Sequence, residues 1–152
     1  MGDYKTWGRS RSTRLRYFDY AAPNVAYHVI MGARDRRAIF SDELTNNRVT
    51  GLLSRSAQIH GYNLLAYCLM PDHLHILIQS GKWPHDLRQF IRGFKSSVTR
   101  ATGRSLWQRG FFEHVLRKEE NILAVAEYIL NNPVRKGLVS RREEYRWGKI
   151  LL

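Results

Sequence analysis

Residues 67–78 read YCLMPDHLHILI, and His73 and His75 are the side chains in that stretch with chemistry to offer. Successive side chains of a strand point to opposite faces, so His73, His75 and Leu77 face one way and Leu74, Ile76 and Ile78 the other. The isoleucine face is the one to pack against helices. The imidazoles then meet on the opposite face, close enough to hold one metal ion, and the Pro71-Asp72 turn leaves that end of the site open. His-x-His in a strand also suits a plain structural pair, or zinc or copper chemistry.

A nuclease-type site needs a third oxygen ligand and a nucleophile as well. Tyr128 and Asn132 stand at i and i+4 of an apolar helical segment and so project from neighbouring positions of one face. Both types are equally at home as packing and capping residues. His114, in the strand before that helix, suits proton transfer or a phosphate contact, and equally a half-buried, hydrogen-bonded histidine. His28, His60 and His85 have no partner legible in the sequence and read as structural or surface positions.

Lys and Arg number 25 against 13 acidic residues, a formal net charge of +12 with a sequence pI of about 10.3. Such a balance points to a polyanionic partner, nucleic acid first. At 152 residues the chain is the size of one domain and needs no disulfide or structural metal. Its one cysteine, Cys68, lies in an apolar run, where a buried thiol in a reducing cytoplasm is expected. The charged opening MGDYKTWGRSRSTRLR is neither a secretory signal nor a membrane span. Residues 1–20 form a basic arm in which arginines, Arg14 and Arg16 among them, alternate with aromatic rings suited to stacking.

The elements that must position these residues follow from periodicity and turn chemistry. VAYHVIM at 25–31 reads as a strand, ended by Gly32 and the basic loop with Arg34, Arg36 and Arg37. Ser41 is placed to cap a helix with Asp42 and Glu43 in its first turn and Gly61 as its stop. Runs 62–70 and 73–79 form a hairpin about Met70-Pro71-Asp72. Leu87, Phe90, Ile91, Phe94, Val98 and Ala101 recur at three and four, which makes a helix whose other face carries Arg88, Arg92, Lys95 and Arg100. A further strand lies within 106–117. Glu119, Glu120 and Asn121 then open a helix carrying Tyr128, which Pro133 ends near Asn132. The basic tail, 134–152, offers no more than a short turn or helix. Together these predict one α+β domain, a ferredoxin-like sandwich with an antiparallel or mixed sheet and helices packed on one face.

YHV at 27–29, RRAIF at 36–40, AYCLMPDHLHILI at 66–78, LWQRGFFEHVLR at 106–117, YILNNPVRKGLV at 128–139 and YRW at 145–147 occur in order along the chain. In these segments the sequence resembles the single-tyrosine HUH transposases, specifically their branch associated with repetitive extragenic palindromes (REP). It departs from that pattern at Asp72, where Asn is frequent, and at Gly148-Lys149, where small hydroxyl residues are usual; both departures are expected to lie clear of the ligands and the nucleophile.

The resemblance implies a bacterial DNA endonuclease and strand transferase acting on single strands that carry a REP hairpin. His73 and His75 match the HUH histidines, Tyr128 the nucleophile and Asn132 a third metal ligand, with Mg²⁺ or Mn²⁺ as the ion. Two imidazoles and one amide oxygen fill three positions of an octahedral ion, and imidazole favours Mn²⁺. Attack by the tyrosine oxygen would leave a 5′-phosphotyrosine and a free 3′-hydroxyl able to reverse the reaction. Arg34, Arg36, Arg37, Arg88, Arg92 and Lys95, with the arm and His114, are then candidate DNA contacts. The REP-associated branch implies a monomer, whereas related transposases pair as dimers. A hairpin-binding protein with little catalysis is the alternative, and an RNA-processing nuclease a third reading.

Overall fold

The computed structural model of the chain describes Leu15 and residues 17–152. Arg14, Arg16 and nearly all of the basic arm lie outside the described residues. Five strands and four helices follow in the order β1 (Ala26–Gly32), α1 (Glu43–His60), β2 (Tyr62–Met70), β3 (His73–Ser80), α2 (Leu87–Thr102), β4 (Phe112–Val115), α3 (Ile122–Leu130), α4 (Asn132–Arg135) and β5 (Gly148–Ile150). Up to β4 this is the βαββαβ succession of a ferredoxin-like fold. The strands lie side by side as β4-β1-β3-β2-β5, and every neighbouring pair is antiparallel.

β3 is therefore the middle strand, bonded on both sides, and its alternation decides what each face of the sheet can be. Leu74, Ile76 and Ile78 join Val29 and Met31 of β1, Val49, Leu53 and Ala57 of α1, and Phe90, Phe94 and Val98 of α2 in the main core. The amphipathic period of α2 thus has the role the sequence predicts. Leu77 points the other way, into a second cluster with Ala66, Cys68 and Met70 of β2 and with Val125, Ala126, Ile129 and Leu130 of α3. Cys68 is fully buried there as a free thiol, and burial pushes its pKa up to about 12. The open antiparallel sheet with α1 and α2 on one face is the predicted architecture; α3 adds a partial layer on the other, over the histidine face.

Three local readings change. The cap of α1 is Asp42 rather than Ser41: its carboxylate accepts from Leu44 N at 3.2 Å and Thr45 N at 3.1 Å, while the Ser41 hydroxyl turns back to the Ala38 carbonyl. A carboxylate has an oxygen for each of two amides and a hydroxyl does not. Gly61 does end α1, at φ 81°, where a Cβ would stand 2.9 Å from Trp83 O and Pro84 Cα. In the tail, β5 pairs with the edge of β2. Gly148 permits it, because a Cβ there would stand 2.8 Å from Leu130 Cδ1 and 3.5 Å from Cys68 Sγ.

Thirdly, the last helix breaks. Pro133 has no N–H for the Ile129 carbonyl four residues back, and the Asn132 side-chain Nδ2 donates to that carbonyl instead, at 3.0 Å. α3 ends at Leu130 and Asn132 opens α4, so Tyr128 and Asn132 belong to consecutive helices, not one. No helix among the described residues is long and apolar enough to cross a membrane.

α3 starts on Asn121, whose Oδ1 accepts from Leu123 N and Ala124 N at 2.9 and 3.2 Å. Asn121→Ala is expected to lower stability by about 1 kcal/mol, the usual worth of such a cap, in urea denaturation.

Candidate active site

His73 and His75 are buried in β3, and their Nε2 atoms face each other across 2.9 Å. Each ring is gripped at its other nitrogen. His73 Nδ1 lies 2.6 Å from Asp72 Oδ1, and the hydrogen bond from His73 holds that carboxyl below its ordinary value. A carboxylate only accepts, so Nδ1 of His73 carries a proton and Nε2 is the nitrogen turned toward His75. Asp72 thus touches a proposed ligand, contrary to the expectation that this position lies clear of the site.

His75 Nδ1 stands 3.0 Å from His28 Nε2. His28 is the residue the sequence reading passed over. It is fully buried on β1, and its strand position faces Leu77, one diagonal step from His75. Burial, then the charge of His114, lowers its pKa to about 3. Burial, then the neighbouring His73 and His28 and the cations Arg135 and Lys136, lowers that of His75 well below the ordinary range. Both rings are neutral at pH 7.

The proton order follows. With no cation, His28 donates to His75 Nδ1, His75 donates through Nε2 to His73, and His73 donates to Asp72. If His75 instead carries its proton on Nδ1 toward His28, both Nε2 lone pairs point into the same gap. Neighbouring ligands of an octahedral ion bound at about 2.1 Å stand roughly 3 Å apart, so the pair fits a divalent ion. Among the described residues no group of three or more His, Cys, Asp or Glu side chains is placed to hold a metal ion; a further protein ligand has to come from another residue type. Asn132, buried on the helical segment that contacts β2, has its amide nitrogen committed to Ile129, so its amide oxygen is the atom that could serve as a ligand.

Tyr128 is half-buried on α3, the helix that packs over the histidine face. Arg135 clasps it: the guanidinium carbon stands 4.0 Å from the ring centroid, and Nη2 donates to the Tyr128 carbonyl at 2.9 Å. Arg135 also acts on His75 and on Cys68, so one cation is within electrostatic reach of both halves of the site. Its spacing of seven from Tyr128, across a helix break, carries no sequence signal.

The other candidates separate. His114 faces His28 across β4 and β1, with its Nε2 on the Glu120 carboxylate at 2.9 and 3.0 Å. Arg34, Arg36 and Arg37 are exposed on the turn after β1, beside the site, since Ala33 N donates to Asp72 O at 2.8 Å. Arg88 is held bidentately by Asp86 at 2.7 and 2.9 Å, and Lys95 donates to the Gln108 and Gly110 carbonyls. His60 and His85 stack edge to face, 5.0 Å between centroids, far from this pair in the chain.

Residues 21–132 match the family model described as Transposase IS200 like. The chain belongs to the IS200-like transposase family. Within it, the chain is similar to REP-associated tyrosine transposases. It is 27% identical over 85 residues to one from Escherichia coli K12, a match covering 55% of this chain and 52% of that one. It is 24% identical over 108 residues to a Haemophilus influenzae protein provisionally given the same name, covering 61% of each. These matches thus span between half and two thirds of the relatives' length. The solved structure of a REP-associated tyrosine transposase bound to a REP hairpin superposes with a TM-score of 0.75 at 20% identity, over 89% of this chain and 82% of that one, which establishes the shared fold.

The lowered pKa of His28 has a consequence for stability. The unfolded chain takes up its proton near the ordinary value of 6.5 and the folded chain only near 3, so as pH falls through this window the unfolded state gains protons first and stability declines. His75 acts in the same direction. Metal-free protein should therefore be less stable to urea at about pH 5 than at about pH 7.5, with a shallower loss in His28→Gln. Equal pH dependence of the two proteins would show that His28 is not held neutral by burial.

Proposed function

We propose that the chain is a metal-dependent single-strand DNA endonuclease and strand transferase that acts on REP-type hairpins through a 5′-phosphotyrosine intermediate. The observation that carries this reading is the buried pair of Nε2 atoms 2.9 Å apart, each ring oriented from behind. Family membership and a relative of the same fold bound to a REP hairpin support the substrate.

In this reading His73, His75 and the Asn132 amide oxygen hold Mg²⁺ or Mn²⁺. When bound, the ion supplies Lewis-acid polarisation of the scissile phosphate. Asp72 and His28 fix the ring orientations, as outer partners of metal-binding histidines do. Tyr128 attacks the phosphorus through its phenol oxygen, losing its proton; the bond to the 3′ oxygen breaks, and that oxygen leaves as a hydroxyl. A second 3′-hydroxyl attacking the phosphotyrosine restores the phenol and joins the strands, with the phosphodiester energy retained. Arg135 holds the Tyr128 ring and places positive charge beside the phosphate. It belongs to the same chain as His75 and Tyr128 and acts on both, which favours an active site completed within one monomer.

Tyr128→Phe is expected to abolish cleavage of a labelled single-stranded hairpin on a denaturing gel, and with it the covalent protein–DNA adduct, while hairpin affinity stays nearly the same. Cleavage by the variant at the wild-type rate refutes the mechanism. Hairpin binding by the wild type without cleavage under any divalent metal selects the binding-protein alternative. Arg135→Ala should slow cleavage about 100-fold, the low end of the loss seen when one transition-state contact is removed, with Arg135→Lys recovering part of it.

A further inference from the structure

α2 and the loop after it, residues 105–111, line an open cleft of about 760 Å³, a size typical of ligand sites, ~300–1,000 Å³. Two of its cations are consumed by the fold, Arg88 by Asp86 and Lys95 by the loop carbonyls that it pins in place. Arg92, Arg100 and Arg109 line the same cleft and are exposed, and their side chains make no hydrogen bond or ion pair among the described residues.

The wall between them is apolar and aromatic, from Ile91, Trp107 and Phe111. Trp107 is wedged against Phe40 and Phe94, with centroids at 5.1 and 5.6 Å, and its indole N–H is buried without an acceptor among the described residues. A buried donor without a partner is a standing cost to the fold. Flat rings and guanidinia together match a base with its phosphates.

The cavity also lies at the right end of the sheet. Trp107 bridges to Ala33, Gln108 N donates to Gly32 O, and Ala33 N donates to Asp72 O, while Gly32 pairs with His73. Two strand spacings, about 10 Å, separate the Trp107 backbone from the His73 strand. A strand leaving the histidine site over the ends of β3 and β1 arrives at this cleft. Arg92 and Arg100 are eight residues apart on α2, about 12 Å along its axis, a spacing that suits separate phosphates of one chain better than one small anion.

We propose that this cleft binds the single strand flanking the hairpin, with a base against Trp107 and Phe111 and its phosphates at Arg92, Arg100 and Arg109. The inference rests on the DNA-processing reading above and adds to it the position of the flank.

The test irradiates the full wild-type chain with REP hairpins carrying 5-iododeoxyuridine at successive flank positions, and maps the crosslinked peptides by mass spectrometry. Crosslinks at Trp107 or Phe111 are expected; crosslinks confined to other segments overturn the proposal. Excess free thymidine monophosphate should leave the crosslink in place, and if it abolishes it the cleft is a small-nucleotide site instead. Replacing Arg92, Arg100 and Arg109 together by Ala should lower the slope of log affinity against log salt for the flanked hairpin by about 2, at roughly 0.7 per phosphate; an unchanged slope counts against the cleft. Cleavage is scored on the same samples. Crosslinks elsewhere with cleavage intact remove the cleft and leave the enzyme reading, whereas crosslinks at Trp107 with no cleavage under any metal keep the cleft and remove the enzyme.

Discussion

Two imidazole nitrogens 2.9 Å apart must share a proton or a cation, because facing lone pairs repel. That constraint organises this molecule. His73 cannot relieve it by turning its proton inward, since Asp72 holds the proton on the far nitrogen. His75 can place its proton on either side, because His28 behind it serves as donor or acceptor. The site therefore has two internally consistent arrangements, one closed by a shared proton and one open to a cation. Both leave His28 and His75 neutral, as rings this deeply buried require.

The remainder of the fold keeps that arrangement in place. β3 is the middle strand of the sheet, so its register is fixed on both sides, and a one-residue slip would bury the histidines under α1 and α2 and expose the isoleucines. The same strand thus sets the main core and the site by alternation. α3 covers the second face and carries Tyr128, and the break at Pro133 lets Asn132 open a new turn there. Asn132 completes the Ile129 carbonyl, so its replacement disturbs the helix junction as well as any proposed ligand role.

Local patterns made much of this legible. Alternation in HLHILI, the Pro-Asp turn and the three-four repeat of α2 are properties of neighbouring residues, and they gave the hairpin, the helix and the facing histidines. What stayed hidden depends on distant partners. His28 is one histidine in an apolar strand, and its meaning comes from His75, 47 residues away. Arg135 reaches Tyr128 only because the helix breaks between them. β5 is three residues long and borrows its hydrogen bonds from the edge of β2, too short a run for alternation to register. Asp72 was read as a departure from a motif, and its carboxylate is the group that orients His73.

The central claim is that His73 and His75 form a prepared cation site, and a crystal grown with Mn²⁺ tests it most directly through anomalous scattering at the manganese edge. The account predicts a single strong peak between the two Nε2 atoms, about 2.2 Å from each, close to the usual bond lengths of such ions, with the Asp72–His73 and His28–His75 contacts preserved. A peak elsewhere, or an empty pair still 2.9 Å apart at saturating Mn²⁺, would contradict it and leave the histidines as a structural hydrogen-bonded pair.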